Sequence, residues 1–157
     1  MWMNVADLKR TLGIKRIHHV GILTTDIEAA VESYALLLRN RPLRIVDVAR
    51  PAVRLRSAMI PVGEGSGTHV QLIQPLEGPG VHELEQSGDG VLYEIAFEVA
   101  DIAVSNKAAL EAGEVPTDLA GNPFEGPYLT ASSGNRYFYL QPTAQRGTRF
   151  ELIEVVT

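Results

Sequence analysis

His19-Val20-Gly21-Ile22-Leu23-Thr24-Thr25-Asp26-Ile27 recurs later in the chain as Glu94-Ile95-Ala96-Phe97-Glu98-Val99-Ala100-Asp101-Ile102, an offset of 75 positions (94 − 19 and 101 − 26). A second pair, Thr68-His69-Val70-Gln71-Leu72-Ile73-Gln74 and Thr148-Arg149-Phe150-Glu151-Leu152-Ile153-Glu154, is offset by 80 (148 − 68). Members of each pair share a hydrophobic period, and a side chain able to ligate a metal interrupts it at the same point. Two copies of one strand-rich unit therefore put His19, Gln71, Glu94 and Glu151 at corresponding positions. Those four side chains can surround a divalent cation.

Working outward, each copy reads as β-α-β-β-β. In the first, a strand over 16–24 leads into Thr25-Asp26, which caps a helix of about 13 residues carrying Ile27, Ala30, Val31, Tyr34 and Leu38 on one stripe. Three strands follow, over 43–48, 53–62 and 68–74, separated by Pro51 and the Gly-rich turn 63–67. In the second, a strand over 91–99 meets an Asp101-capped helix that runs to Ala112 and stops at Gly113. Strands are then expected at 115–119, at 128–131 with 136–141, and at 149–155. Residues 1–13 read as a helical extension, 14–76 as the first module, 77–90 as a linker and 91–157 as the second module.

Period-two alternation assigns faces. Val20 and Ile22 oppose His19, Gly21 and Leu23; Val70 and Leu72 oppose Gln71; Ile95, Phe97 and Val99 oppose Glu94 and Glu98; Phe150 and Leu152 oppose Glu151. The apolar faces are expected under the helices and the polar candidates on the other face, lining a concavity. His18 is expected to point away from it in a structural role, His69 to lie at its rim, and His82 on the surface. Glu98 shares the parity of Glu94 but is expected to be shallower. Asp26 and Asp101 are helix caps.

Length and composition bound the remainder. At 157 residues the chain can bury one real core shared by two half-domains. A net charge of −5 gives no electrostatic reason to bind nucleic acid or an anionic membrane. The absence of cysteine excludes disulfides, thiolate zinc sites and cysteine nucleophiles. No run of about 18 apolar residues is present, so a cytoplasmic protein is expected. No Gly-rich phosphate loop occurs, because 63–67 lacks a following Lys-Ser/Thr. Arg54, Arg56, Arg136 and Arg149 are each able to bind an anion, and Tyr128, Tyr137, Phe138 and Tyr139 read as strand packing.

These motifs resemble the vicinal oxygen chelate superfamily, which includes glyoxalase I, methylmalonyl-CoA epimerase, extradiol dioxygenases and antibiotic-resistance proteins. The resemblance is carried by His18-His19-Val20-Gly21-Ile22, Asp26-Ile27, Val70-Gln71-Leu72-Ile73-Gln74-Pro75, Glu94-Ile95-Ala96-Phe97-Glu98-Val99 and Phe150-Glu151-Leu152, and it spans about 14–156. It implies an α+β fold in which paired βαβββ modules form a curved, eight-stranded mixed sheet with helices outside. It also implies a metal held by the first and fourth strands of each module, and a homodimer. The epimerase and glyoxalase subgroup is nearest, with two departures. Glu94 stands where a histidine is usual, and the stretch Val48-Ala49-Arg50-Pro51-Ala52-Val53-Arg54 lacks the epimerases' catalytic glutamate.

One imidazole, one amide oxygen and two carboxylates suit Mn, Co, Ni, Fe or Mg more naturally than a structural Zn. Two ionised carboxylates neutralise a divalent ion, which weakens its Lewis acidity. In return, Glu94 or Glu151 can accept a proton from a carbon next to a carbonyl. The expected function is therefore a metal-dependent isomerase, epimerase or lyase acting on a small oxo acid, hemithioacetal or acyl thioester, with Glu94 and Glu151 catalytic. Two alternatives remain open: a metal-free protein that binds an antibiotic or metabolite, and an iron-dependent dioxygenase, against which a single histidine argues.

Overall fold

The computed structural model describes residues 12–42 and 44–157. The expected N-terminal helix over 1–13 falls almost entirely outside them. The described elements run β1 (Ile14–Leu23), α1 (Ile27–Leu38), β2 (Ile45–Arg50), β3 (Val53–Pro61), β4 (His69–Glu77), α2 (Pro79–Ser87), β5 (Leu92–Val99), α3 (Ile102–Glu111), β6 (Pro116–Thr117), β7 (Leu129–Thr130), β8 (Arg136–Leu140) and β9 (Arg149–Glu154). The strands form one mixed sheet in the order β2-β3-β4-β1-β5-β9-β8-β6, with β7 pairing beside β8. The expected α+β class and eight-stranded path are observed, β7 being a ninth, two-residue addition. By packing, the chain divides into one compact unit made of His18–Ile95 and another that joins Ala96–Thr157 to the segment ending at Ile17.

In the first unit, β1 and β4 run parallel with His19 opposite His69 and Gly21 opposite Gln71. Antiparallel β3 continues the sheet, with Met59 opposite Gln71, and β2 closes the edge. α1 starts because Asp26 holds an extended backbone and accepts a hydrogen bond from Ala29 N–H, satisfying one of the orphan amides of the first turn. Its Ile27 packs with Ala58, Ile60 and Leu72, all essentially inaccessible, and Ile22, Val31, Tyr34 and Val70 gather round them. Burying four such side chains supplies about 1.5–3 kcal/mol for each large one.

Two strand limits differ from the sequence reading. β4 runs on through Pro75, which pairs with Leu55, to Glu77, which pairs with Arg54, and the register shift between them leaves Leu76 as the extra residue of a bulge. The β2–β3 turn is formed by Pro51 and by Ala52, whose φ of 59° is left-handed. That conformation is strained for a residue bearing a Cβ.

In the second unit, α3 is capped by Asp101, which accepts from both Ala103 and Val104 N–H. Its inner face joins Val99, Ile102, Ala109, Phe138, Leu140 and Leu152 in a core. β8 and β9 are antiparallel with Tyr139 opposite Glu151. The strand expected over 115–119 shrinks to Pro116–Thr117. It ends because Asp118 accepts from the Asn122 and Gly121 amides through its side chain and carbonyl, turning the chain back. The strand expected over 128–131 is likewise reduced to Leu129–Thr130.

Candidate metal centre

His19 projects from β1, Gln71 from β4, Glu94 from β5 and Glu151 from β9. His19, Glu94 and Glu151 are 4%, 3% and 6% exposed, and Gln71 is half-buried. Charged groups are seldom this deep unless paired or coordinating. Within the unit 18–95, the buried His19 and Glu94 each offer one ligand atom, and these two atoms lie within 4.8 Å of one another. His19 Nε2 stands 3.3 Å from Glu94 Oε1.

Gly21 makes room for this arrangement. A Cβ built on it would sit 2.8 Å from Glu94 Cγ and 3.2 Å from Ile73 Cδ1, so any other residue would displace the carboxylate stem. A glycine inside a strand signals such a close approach.

The donor chemistry fits a cation. Two of the candidate ligand oxygens, Glu94 Oε2 and Gln71 Oε1, are buried without a hydrogen-bond partner, and both carry lone pairs. Gln71 Nε2 donates to Ser57 Oγ at 2.9 Å, which leaves the carbonyl end as the open one. His19 Nδ1 lies 2.8 Å from His18 Nδ1. Such a contact holds one proton between two nitrogens, so His19 Nε2 can present a lone pair when Nδ1 is the donor. A ring fixed through its second nitrogen is the usual setting of a metal-binding histidine.

Three expectations are corrected. His18 does not turn away from the site; its ring meets that of His19 edge-on, centroids 5.1 Å apart. Glu98 is not shallow, being 7% exposed and ion-paired with Lys15 (2.9 Å) and Arg16. Burial pushes its carboxyl up, but the two cations outweigh that and hold it below the ordinary carboxylate value. On β1 the alternation is also inverted in depth, for His19, Gly21 and Leu23 are buried while Val20 and Ile22 are only partly so.

His69 shares the sheet face of His19, since the two face each other across a parallel pair, and its Nδ1 is buried without a partner. His82 is exposed on α2. Arg54 is exposed, Arg56 binds Glu28, and Arg136 binds Glu154 while covering the Tyr128 ring. Arg149 differs from these, being 3% exposed and donating Nε–H to Gln141 Oε1 at 2.9 Å. Ser57 and Gly21 are the site residues that alternation alone does not single out.

A family model for the glyoxalase/bleomycin resistance protein/dioxygenase superfamily matches residues 18–126. The chain belongs to that superfamily. Among solved structures, methylmalonyl-CoA epimerase from Mycobacterium tuberculosis is similar with a TM-score of 0.75 at 22% identity, over 94% of this chain and 92% of that one. A Streptomyces coelicolor methylmalonyl-CoA epimerase in complex with 2-nitronate-propionyl-CoA gives 0.70 at 25%, over 92% and 99%. A 4-hydroxymandelate synthase from Streptomyces coelicolor gives 0.70 at 15%, over 90% of this chain and 48% of that one. The first and last of these likenesses show the shared fold. No curated protein matches the chain.

Proposed function

We propose that this protein is a metal-dependent isomerase, epimerase or lyase that moves a proton on the carbon next to a carbonyl of a small oxo acid, hemithioacetal or acyl thioester. The buried pair His19 and Glu94, 3.3 Å apart, carries the reading, with the open oxygens of Glu94 and Gln71 in support. His19, Gln71, Glu94 and Glu151 would hold a divalent cation, with Mn, Co, Ni, Fe, Mg and Zn all candidates. When bound, such a cation supplies Lewis acidity toward the substrate's oxygens.

The chain's own groups do the rest. Glu94 has one oxygen within reach of His19 and one without a partner, so its carboxylate can take up a proton while it stays anchored. Glu151 is the second acid able to carry a proton, and burial of both acids keeps bulk water from competing. The epimerases' base has no counterpart here. Nothing acidic lies between Val48 and Arg54, and the nearby Asp47 side chain is 90% exposed and faces Arg56. A donor set with one histidine favours proton transfer over oxygen chemistry, which commonly uses two histidines and one carboxylate on iron.

Modules over 14–76 and 91–157, joined by a linker over 77–90, form part of this reading, as does a homodimer. Light scattering would then give about 34 kDa, twice the 17.1 kDa of one chain. The deciding experiment is deuterium uptake from D₂O into candidate 2-oxo acids, hemithioacetals and acyl thioesters, read by mass spectrometry. Uptake that needs Mn²⁺ or Co²⁺ and stops with a chelator is expected. No uptake with any metal overturns the reading and favours a metal-free binding protein.

A further inference from the structure

We infer that Ser57 is a positioning residue for the metal ligand Gln71, holding the amide nitrogen so that the carbonyl oxygen is left to the site. The inference rests on the metal-dependent reading above and goes beyond it, by naming the group that makes Gln71 an oxygen donor.

The argument starts from the amide itself. A glutamine side chain has a donor end and an acceptor end of nearly equal size, and only the acceptor end can ligate a cation. At half-buried positions the choice between the two is made by neighbours. Ser57, 3% exposed on β3, accepts Gln71 Nε2–H at 2.9 Å. With the donor end so held, Oε1 is buried and has no hydrogen-bond partner. Leaving a buried carbonyl oxygen unsatisfied costs about 1–3 kcal/mol, a cost that a bound cation would remove.

Strand register carries that oxygen to the right place. Gln71 faces Gly21 across the parallel β1–β4 pair. Gly21 in turn lies against the Glu94 side chain, at 3.4 Å between its notional Cβ and Glu94 Oε1. The bare backbone at Gly21 therefore lies between Gln71 and Glu94, with no side chain of its own to separate them. Glu94 Oε2 is likewise without a hydrogen-bond partner, so two open acceptors flank the same glycine. Ser57 reaches Gln71 from the far side, out of β3. It orients the ligand without being one.

The test is Mn²⁺ affinity of the full chain, measured by electron paramagnetic resonance of free Mn²⁺. Ser57→Ala should weaken binding roughly 10–100-fold, the usual effect of losing a partner that orients a ligand. Ser57→Thr, which keeps the hydroxyl, should restore most of it. In a Gln71→Glu background both ends of the side chain are oxygens, so there Ser57→Ala should cost little, and the two substitutions should be strongly non-additive. Ser57→Ala binding as tightly as the unaltered protein, or an equal loss in both backgrounds, overturns the inference. If the unaltered protein itself binds no Mn²⁺, Co²⁺ or Zn²⁺, the metal-dependent reading has failed instead, and this inference falls with it. Circular dichroism melts of each variant separate a lost ligand from a lost fold.

Discussion

Strands β1 and β4 carry His19 and Gln71 at the positions where β5 and β9 carry Glu94 and Glu151. The first repeat thus contributes neutral donors and the second contributes charge. The surroundings differ to match. Gly21 in β1 clears space for Glu94, whereas its counterpart 75 positions on, Ala96, already bears a methyl group and is completely buried. Likewise Leu23 is a fully buried apolar residue, and its counterpart Glu98 is a buried acid held by Lys15 and Arg16. The comparison teaches that, in the proposed metal site, attraction for a cation would come from one repeat and geometry from the other. One scaffold serves both because side-chain direction is set by strand parity, not by side-chain chemistry.

The largest effect expected is on the charged half. Glu94→Gln and Glu151→Gln should each weaken Mn²⁺ binding roughly a hundredfold or more, since a unit charge beside a divalent ion is removed from a poorly solvated place. Gln71→Ala should cost about tenfold. Equal losses in a titration of all three would break the comparison. Next comes Gly21→Ala, which must push Glu94 or Ile73 aside and should cost about 1–3 kcal/mol in denaturant unfolding while also lowering metal affinity. Ala96→Gly should cost about 1 kcal/mol or less from the backbone, with metal affinity kept.

The helix caps give a smaller contrast. Asp101→Ala loses two accepted amide hydrogen bonds and Asp26→Ala one, so thermal melts should show a loss of about 1 kcal/mol for the former and somewhat less for the latter. The smallest effect concerns pH. Because the Glu98 carboxyl is held below its ordinary value of 4.5, its contribution is complete above that pH and is lost as pH falls through the lowered value. Unfolding free energies measured between about pH 6 and 3 should therefore decline less steeply in Glu98→Gln. An unchanged acid limb would show that Lys15 and Arg16 add nothing to stability.

Much of this is legible in the sequence. The repeats located the first and fourth strand of each half, and Thr25-Asp26 and Asp101 marked the helix starts, because capping and alternation are local signals. What alternation could not give was depth. It placed Val20 and Ile22 on one face and His19 and Gly21 on the other, but only packing decides that the second face is the more buried. Ser57 carried no signal at all, since a serine in an alternating strand looks like any solvated residue until its partner is known. The pairing of His19 with His69 was equally hidden: no tight turn joins parallel strands, so no local rule fixes their register. Gly21 did carry a signal, a glycine in mid-strand, whose meaning appeared only with Glu94 beside it.

The parallel pairing of β1 with β4 has a consequence for how the chain reaches this structure. β1 is made before both of its neighbours in the sheet: its last residue, Leu23, and the start of β4, His69, are 46 positions apart (69 − 23), and β5, the other neighbour, comes later still. During synthesis β1 must wait with both of its ladders open while the antiparallel run β2-β3-β4 can zip up from its own short turns. Long-range closure of this kind slows folding and leaves strand edges able to join the wrong chain. The segment that bears His19 thus leaves the ribosome before either of its partners in the sheet and is among the last to find its place.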